Sequence, residues 1–117
     1  MFHAEDLHDW LGHDVVDESG AKIGEFEAIY VDTRTDEPAF ATVKVGRLGR
    51  SRLVFVPLAG ATVGPRHLKV AYPKKQVKDA PSIATDGGLL AADEAQVFRH
   101  YDMPYSAPEN ARLLARR

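Results

Sequence analysis

The sequence predicts a mainly β domain: a small, highly curved β-barrel with a short N-terminal turn before it and an α-helix after it. Three observations lead there. Short apolar or alternating segments recur between residues 14 and 72, separated by turn-forming residues, which is the pattern of a small barrel built from short strands. The most apolar of them, Leu53–Leu58, contains the β-favouring run Val54-Phe55-Val56. The main helical stripe lies close to the C-terminus, where Val97, Phe98 and Tyr101 fall on one face. A chain of 117 residues has the length of one ordinary domain.

The elements follow in order. Leu7, Trp10 and Leu11 stand at helical spacing and Gly12 is placed to end the turn they make. Asp17-Glu18-Ser19-Gly20 is a turn joining two extended pieces, Asp14–Val16 and Lys22–Asp32. In the second piece Phe26, Ala28 and Tyr30 occupy one face while Ile23, Ile29 and Val31 occupy the other. Such a change of phase marks a bulge or burial on both sides, and Gly24 is the expected bend. After a turn at Arg34–Pro38 comes a strand over Ala39–Gly46 with Ala41, Val43 and Val45 facing inward. Gly46–Arg52 reads as a basic hairpin connection, and Pro57, which has no N–H to give a ladder, marks Leu53–Leu58 as an edge or its end. Leu68, Val70 and Tyr72 alternate along a further strand. Pro73–Asp79 carries one helical turn, Ala80-Pro81 closes the β region, and the amphipathic helix runs from about Ala92 to Asp102, with Asp93 and Glu94 suiting its N-terminal dipole. The expected organisation is a β domain over residues 1–81, a connector and docked helix over 82–105, and a loosely ordered tail over 106–117.

Hydrophobic residues make up 44% of the chain and charged residues 27%, which excludes a disordered or collagen-like chain. No apolar run approaches the roughly 20 residues of a membrane-spanning helix. The acidic start lacks the signature of a secretory signal, so a cytoplasmic location is expected. Cysteine is absent, which removes disulfides, thiolate metal clusters and a cysteine nucleophile. The net charge of −2 hides a segregated layout. Residues 1–40 hold eleven acidic side chains against two basic, and residues 41–80 hold nine basic against one acidic. The two segments can lie side by side and neutralise each other, or the asymmetry can serve an electrostatic partner.

Candidate chemistry is sparse. His3, His8 and His13 recur every five residues, a spacing that does not bring them to one helix face, so no metal and no cofactor is expected. G-x-S-x-G, phosphate-loop and dinucleotide-binding patterns are missing, and the chain is read as not being an enzyme. Arg47, Arg50 and Arg52 cluster on one connection and form the candidate partner-binding set. Without an aromatic stacking ladder beside them, a protein partner is preferred to nucleic acid.

The order of motifs resembles the PRC-barrel domain family, and the chain is read as a stand-alone bacterial member of actinobacterial type. The resemblance rests on Leu11-Gly12-His13-Asp14-Val15-Val16-Asp17, Gly20-Ala21-Lys22-Ile23-Gly24 and Ile29-Tyr30-Val31-Asp32, then Val54-Phe55-Val56-Pro57, Val70-Ala71-Tyr72 and the exit Val77-Lys78-Asp79-Ala80-Pro81. Asp93-Glu94 with Val97-Phe98-Arg99-His100-Tyr101 resembles the helix that follows in such members, which often ends in Tyr-Gly; here Asp102 takes the glycine's place. The likeness implies a small PRC-type β-barrel used as a protein-interaction or assembly module, with no catalytic residues to carry over. The expected partners are a protein of unspecified identity and a second copy of the chain in a homodimer. The alternative is an RNA- or ribosome-associated factor, by analogy with the maturation-factor branch of the family.

Overall fold

A computed structural model describes residues 10–32, 37–46, 52–64, 66–81, 88–89, 91–103 and 114–116. Its strands are β1 (Asp14–Val16), β2 (Lys22–Asp32), β3 (Glu37–Val45), β4 (Arg52–Pro57), β5 (Thr62–Gly64) and β6 (His67–Lys69). These are followed by helix α1 (Lys74–Lys78), strand β7 (Gly88–Leu89), helix α2 (Ala91–His100) and strand β8 (Leu114–Arg116). The strands form one sheet in the order β4-β3-β2-β1-β6-β5, with β8 added beside β2 and β7 beside β8. Only β1 and β6 run parallel; the other pairs are antiparallel.

β2 is the spine of this sheet. Its first residues pair with β1, its length pairs with β3, and its last three pair with β8. The phase change in its sequence has two physical sources. Opposite Val43 and Thr42, β2 presents Phe26 and Ala28, so Glu27 is an extra residue; at the far end Tyr30 and Val31 face Phe40 and Pro38, so Ala39 is extra in β3. Each bulge rotates the following residues and tightens the twist. Between them Ala28, Ile29, Tyr30 and Val31 are all buried. Gly24 has a different task. A Cβ there would lie 2.1 Å from the backbone oxygen of Lys44, so β3 can approach β2 this closely only where the side chain is missing.

The core gathers Val15, Ile29, Val43, Val54, Val56, Leu68 and Val70 around Tyr30, Phe40 and Phe55, all essentially buried. Tyr30 and Phe40 meet Phe55 edge-on at centroid distances of 4.8 and 6.3 Å, the arrangement that ring quadrupoles favour. Thr42 is buried too, and its hydroxyl donates to the Glu27 carboxylate at 2.7 Å. The bulge thus brings a partner to a polar group that burial would otherwise penalise.

β4 lies at the sheet edge, as Pro57 requires. The Leu58 N–H bonds the Ala39 carbonyl at 2.9 Å, so by strand alternation Pro57 has its missing donor on the outer side. α2 covers that edge. Val97 and Tyr101 are buried, and the Tyr101 hydroxyl donates to the Phe55 carbonyl at 2.5 Å. Tyr101 also meets Tyr72 edge-on at 4.9 Å, and Phe98 leans on Phe40 at 5.5 Å while staying only half-buried. The helix ends on Asp102 at φ 56°, with the Asp102 N–H bonded to the Arg99 carbonyl and the Met103 N–H to the Phe98 carbonyl. This is the left-handed closing motif that glycine ordinarily provides, built here on an aspartate.

Two sequence expectations need correction. Leu114–Arg116, expected in a loosely ordered tail, form β8 on the second half of β2; their alternation was too short to read as a strand. β5, between Leu58 and His67, had no sequence signal beyond three residues. The N-terminal helical turn before Trp10, the Arg34–Asp36 turn, residues 82–87 of the connector and residues 106–113 lie outside the described residues.

The packing of α2 makes two expectations. Phe98→Ala removes a half-buried ring and is expected to cost about 2 kcal/mol, below the roughly 3–5 kcal/mol of a fully buried one. Asp102→Gly relieves the left-handed backbone and is expected to raise stability by about 1 kcal/mol. Urea unfolding midpoints of both variants against the unmodified chain check each sign.

Candidate functional site

The site is built around α1, a helix too short to hold itself together. Pro73 precedes it and supplies no side-chain cap. The cap comes from far away in the sequence: Asp17 Oδ2 accepts the Lys74 N–H at 3.0 Å. Asp17 belongs to the β1–β2 turn, where its Oδ1 accepts the Ser19 hydroxyl at 2.5 Å and the N–H groups of Ser19 and Ala21 at 2.9 and 3.0 Å. Gly20 completes that turn at φ 87°, donating to the Asp17 carbonyl. One carboxylate therefore closes the turn and starts the helix. The Ser19 hydroxyl first, then the Lys74 N–H and the other two amides, lower the Asp17 pKa to about 2 against an opposing effect of burial.

The other end of α1 is held by Arg52. Its guanidinium donates to the carbonyls of Lys78 and Ala80, the last of these at 2.7 Å. A carboxylate at the first turn and a guanidinium at the last match the helix dipole at both ends. Val77, between them, is fully buried. Gln76 and His100 add a reciprocal link to α2: Gln76 Nε2 donates to the His100 carbonyl at 3.3 Å, and His100 Nε2 lies 2.6 Å from the Gln76 carbonyl. Burial pushes the Tyr101 hydroxyl well above the ordinary phenol range, with Tyr72 adding to the shift, which keeps it a neutral donor to β4.

Fixed in this way, α1 sets Lys74 and Lys78 one turn apart beside a cleft of about 380 Å³. β2 lines it with Lys22, Ile23, Gly24 and Glu25, and the end of β3 with Lys44 and Gly46. Lys22 pairs with Asp14 at 3.2 Å. Among the described residues, no carboxylate lies within ion-pair distance of Lys44, Lys74 or Lys78. Glu25 stands opposite Lys44 in the strand register without closing a pair. In the described lining four lysines face the single carboxylate of Glu25, a surplus of positive charge in a concave surface that focuses potential on an approaching anion.

The sequence placed its candidate set on Arg47, Arg50 and Arg52. The structure assigns Arg52 to the end of α1, whereas Arg47 and Arg50 lie outside the described residues. Lys44 was visible in the sequence as a neighbour of those arginines. Lys74 and Lys78 were legible only as an i, i+4 pair on a helical turn, and nothing in the chain order tied them to Lys22. His13 borders a shallow depression with Gly12, Asp14 and Arg66. Among the described residues no three His, Cys, Asp or Glu side chains converge in a metal-binding group.

A curled sheet of short strands around one buried strand, closed at its edge by helices, defines a small β-barrel-type domain. The chain belongs to the PRC-barrel domain family, whose model matches residues 2–77. The matched span ends inside α1, so α2 and the β7–β8 pair lie beyond it. No curated protein matches the sequence. No described helix is long and apolar enough to cross a membrane.

The lowered Asp17 pKa carries a sign. Its ordinary value is 3.8 and its folded value about 2, so the stability it contributes is fully present above pH 3.8 and is lost as pH falls through about 2. Asp17→Asn is expected to lower the urea midpoint at neutral pH and to flatten the part of the acid limb between those two values. Urea titrations of both proteins over that pH range check the difference; parallel curves would remove the carboxylate from its assigned role.

Proposed function

We propose that this PRC-barrel protein is a non-enzymatic protein-interaction or assembly module of the cytoplasm, and that it pairs with a second copy of itself. The observation that carries the reading is the incomplete neutralisation of the charge segregation. The acidic and basic segments are neighbours in the sheet, yet Lys44, Lys74 and Lys78 meet no carboxylate within ion-pair distance among the described residues. A basic surface left over after folding is available to a partner's acidic one, and the chain's own first forty residues are rich in carboxylates. The polar groups best suited to chemistry support the same reading, because Asp17, Arg52, Tyr101 and His100 are engaged in holding elements together.

The same basic surplus favours a second reading, an RNA- or ribosome-associated factor. Among the described residues no aromatic side chain lines the lysine cleft, which disfavours the stacking that single-stranded recognition uses.

In a two-fold dimer an acidic-to-basic contact is made twice, so its salt dependence doubles as well. The expected result is a dimer in low salt that dissociates as salt rises, since exposed charges are screened beyond about 10 Å at roughly 0.1 M. Arg47→Glu with Arg50→Glu is expected to weaken it further. Arg52 is left intact in this test because its loss would release α1. Sedimentation velocity across a salt series reads both effects, and a monomer under every condition would sink the homodimer.

A further inference from the structure

We propose that the lysine cleft receives an extended, carboxylate-rich segment of a partner protein, with the ammonium groups of Lys44, Lys74 and Lys78 set against its acidic side chains. The inference rests on the reading of the chain as an interaction module and names what that module takes hold of.

Three features of the cleft select this occupant. The first is charge: Lys44, Lys74 and Lys78 line the cleft without a carboxylate in ion-pair range among the described residues, Lys22, already paired with Asp14, closes the group on one side, and Glu25 is the one carboxylate in the described lining against these four lysines. Adding anions there relieves mutual repulsion as well as forming new pairs.

The second feature is the donor type. Among the described residues, all four cations that line the cleft are lysines. Their compact ammonium groups on flexible stems can follow carboxylates at irregular spacing. They lack the planar fork with which arginine grips a phosphate in two places. With no aromatic side chain among the described lining residues, a nucleic acid would gain phosphate contacts there without stacking. A peptide needs no stacking.

The third is the course of the backbone. The registered β2–β3 ladder begins at Glu25 opposite Lys44, and β3 ends at Val45 before Gly46 at φ 103°. Lys22 and Ile23 precede the first registered β2–β3 pair, and Gly24 lies against the Lys44 carbonyl. On the other side α1 presents Lys74 and Lys78 from the same helix face. Lys22 and Lys44 from the strands and Lys74 and Lys78 from α1 thus border the cleft, which suits a chain lying between them. Lys74 and Lys78 are half-buried, so their stems line the cleft while their heads stay in water.

The test uses the full-length protein and a fluorescent oligoglutamate peptide, with oligouridylate as the nucleic-acid comparison. Fluorescence anisotropy is expected to show oligoglutamate binding that weakens with salt. In Lys44→Glu/Lys78→Glu the affinity is expected to fall about tenfold or more, the loss of at least one charge-assisted contact. Lys44→Gln/Lys78→Gln is expected to fall less, because it removes attraction without adding repulsion. Unchanged urea midpoints establish that both variants keep the fold. Oligoglutamate binding that is absent, or that is equal in all three proteins, overturns the assignment. Oligouridylate binding more tightly than oligoglutamate, and lost in the same variants, overturns it in favour of nucleic acid. Loss of the cleft's binding beside an intact salt-sensitive dimer removes this inference alone, whereas peptide binding by a permanent monomer removes only the homodimer.

Discussion

A five-residue helix has no stability of its own in water, and α1 exists because Asp17 and Arg52 hold its two ends. The constraint reaches well beyond the helix. Asp17 sits in the turn between β1 and β2, and Arg52 opens β4, so the two residues tie α1 to opposite sides of the sheet. Val77 is then seated in the core, and Gln76 is placed to exchange contacts with His100 of α2. α2 in turn covers β4 through Tyr101. The chain of dependence runs from one carboxylate to a helix, from that helix to a second helix, and from the second helix to a sheet edge. It also fixes where Lys74 and Lys78 stand, so the same clamp that stabilises the fold shapes the cleft.

The division of labour among the charged residues follows from this geometry. Asp17 is buried and satisfied by four donors, so its charge is stabilised locally and acts on the backbone. Arg52 is exposed along its length, but its guanidinium is aimed at carbonyl oxygens. Lys44, Lys74 and Lys78 of the cleft have neither arrangement among the described residues. Asp17 and Arg52 are aimed largely at main-chain groups, whereas Lys44, Lys74 and Lys78 meet no carboxylate within ion-pair distance among the described residues. That contrast separates the two roles more sharply than exposure does.

Much of the fold was legible because β strands and turns announce themselves locally. The turn at Asp17–Gly20, the full span of β2, and the edge position imposed by Pro57 each rest on residues whose backbone preferences act over a few positions. The bulge in β2 was legible too, since the apolar pattern must change phase where an extra residue enters. What escaped was non-local. Asp17 reaches Lys74 across 57 positions and Arg52 reaches Ala80 across 28, and no periodicity encodes either contact. Arg52 was grouped with Arg47 and Arg50 because they are neighbours in sequence, yet strand β4 carries it to the underside of a helix. β8 was missed for the same reason: three residues gain meaning only from the edge of β2 that receives them.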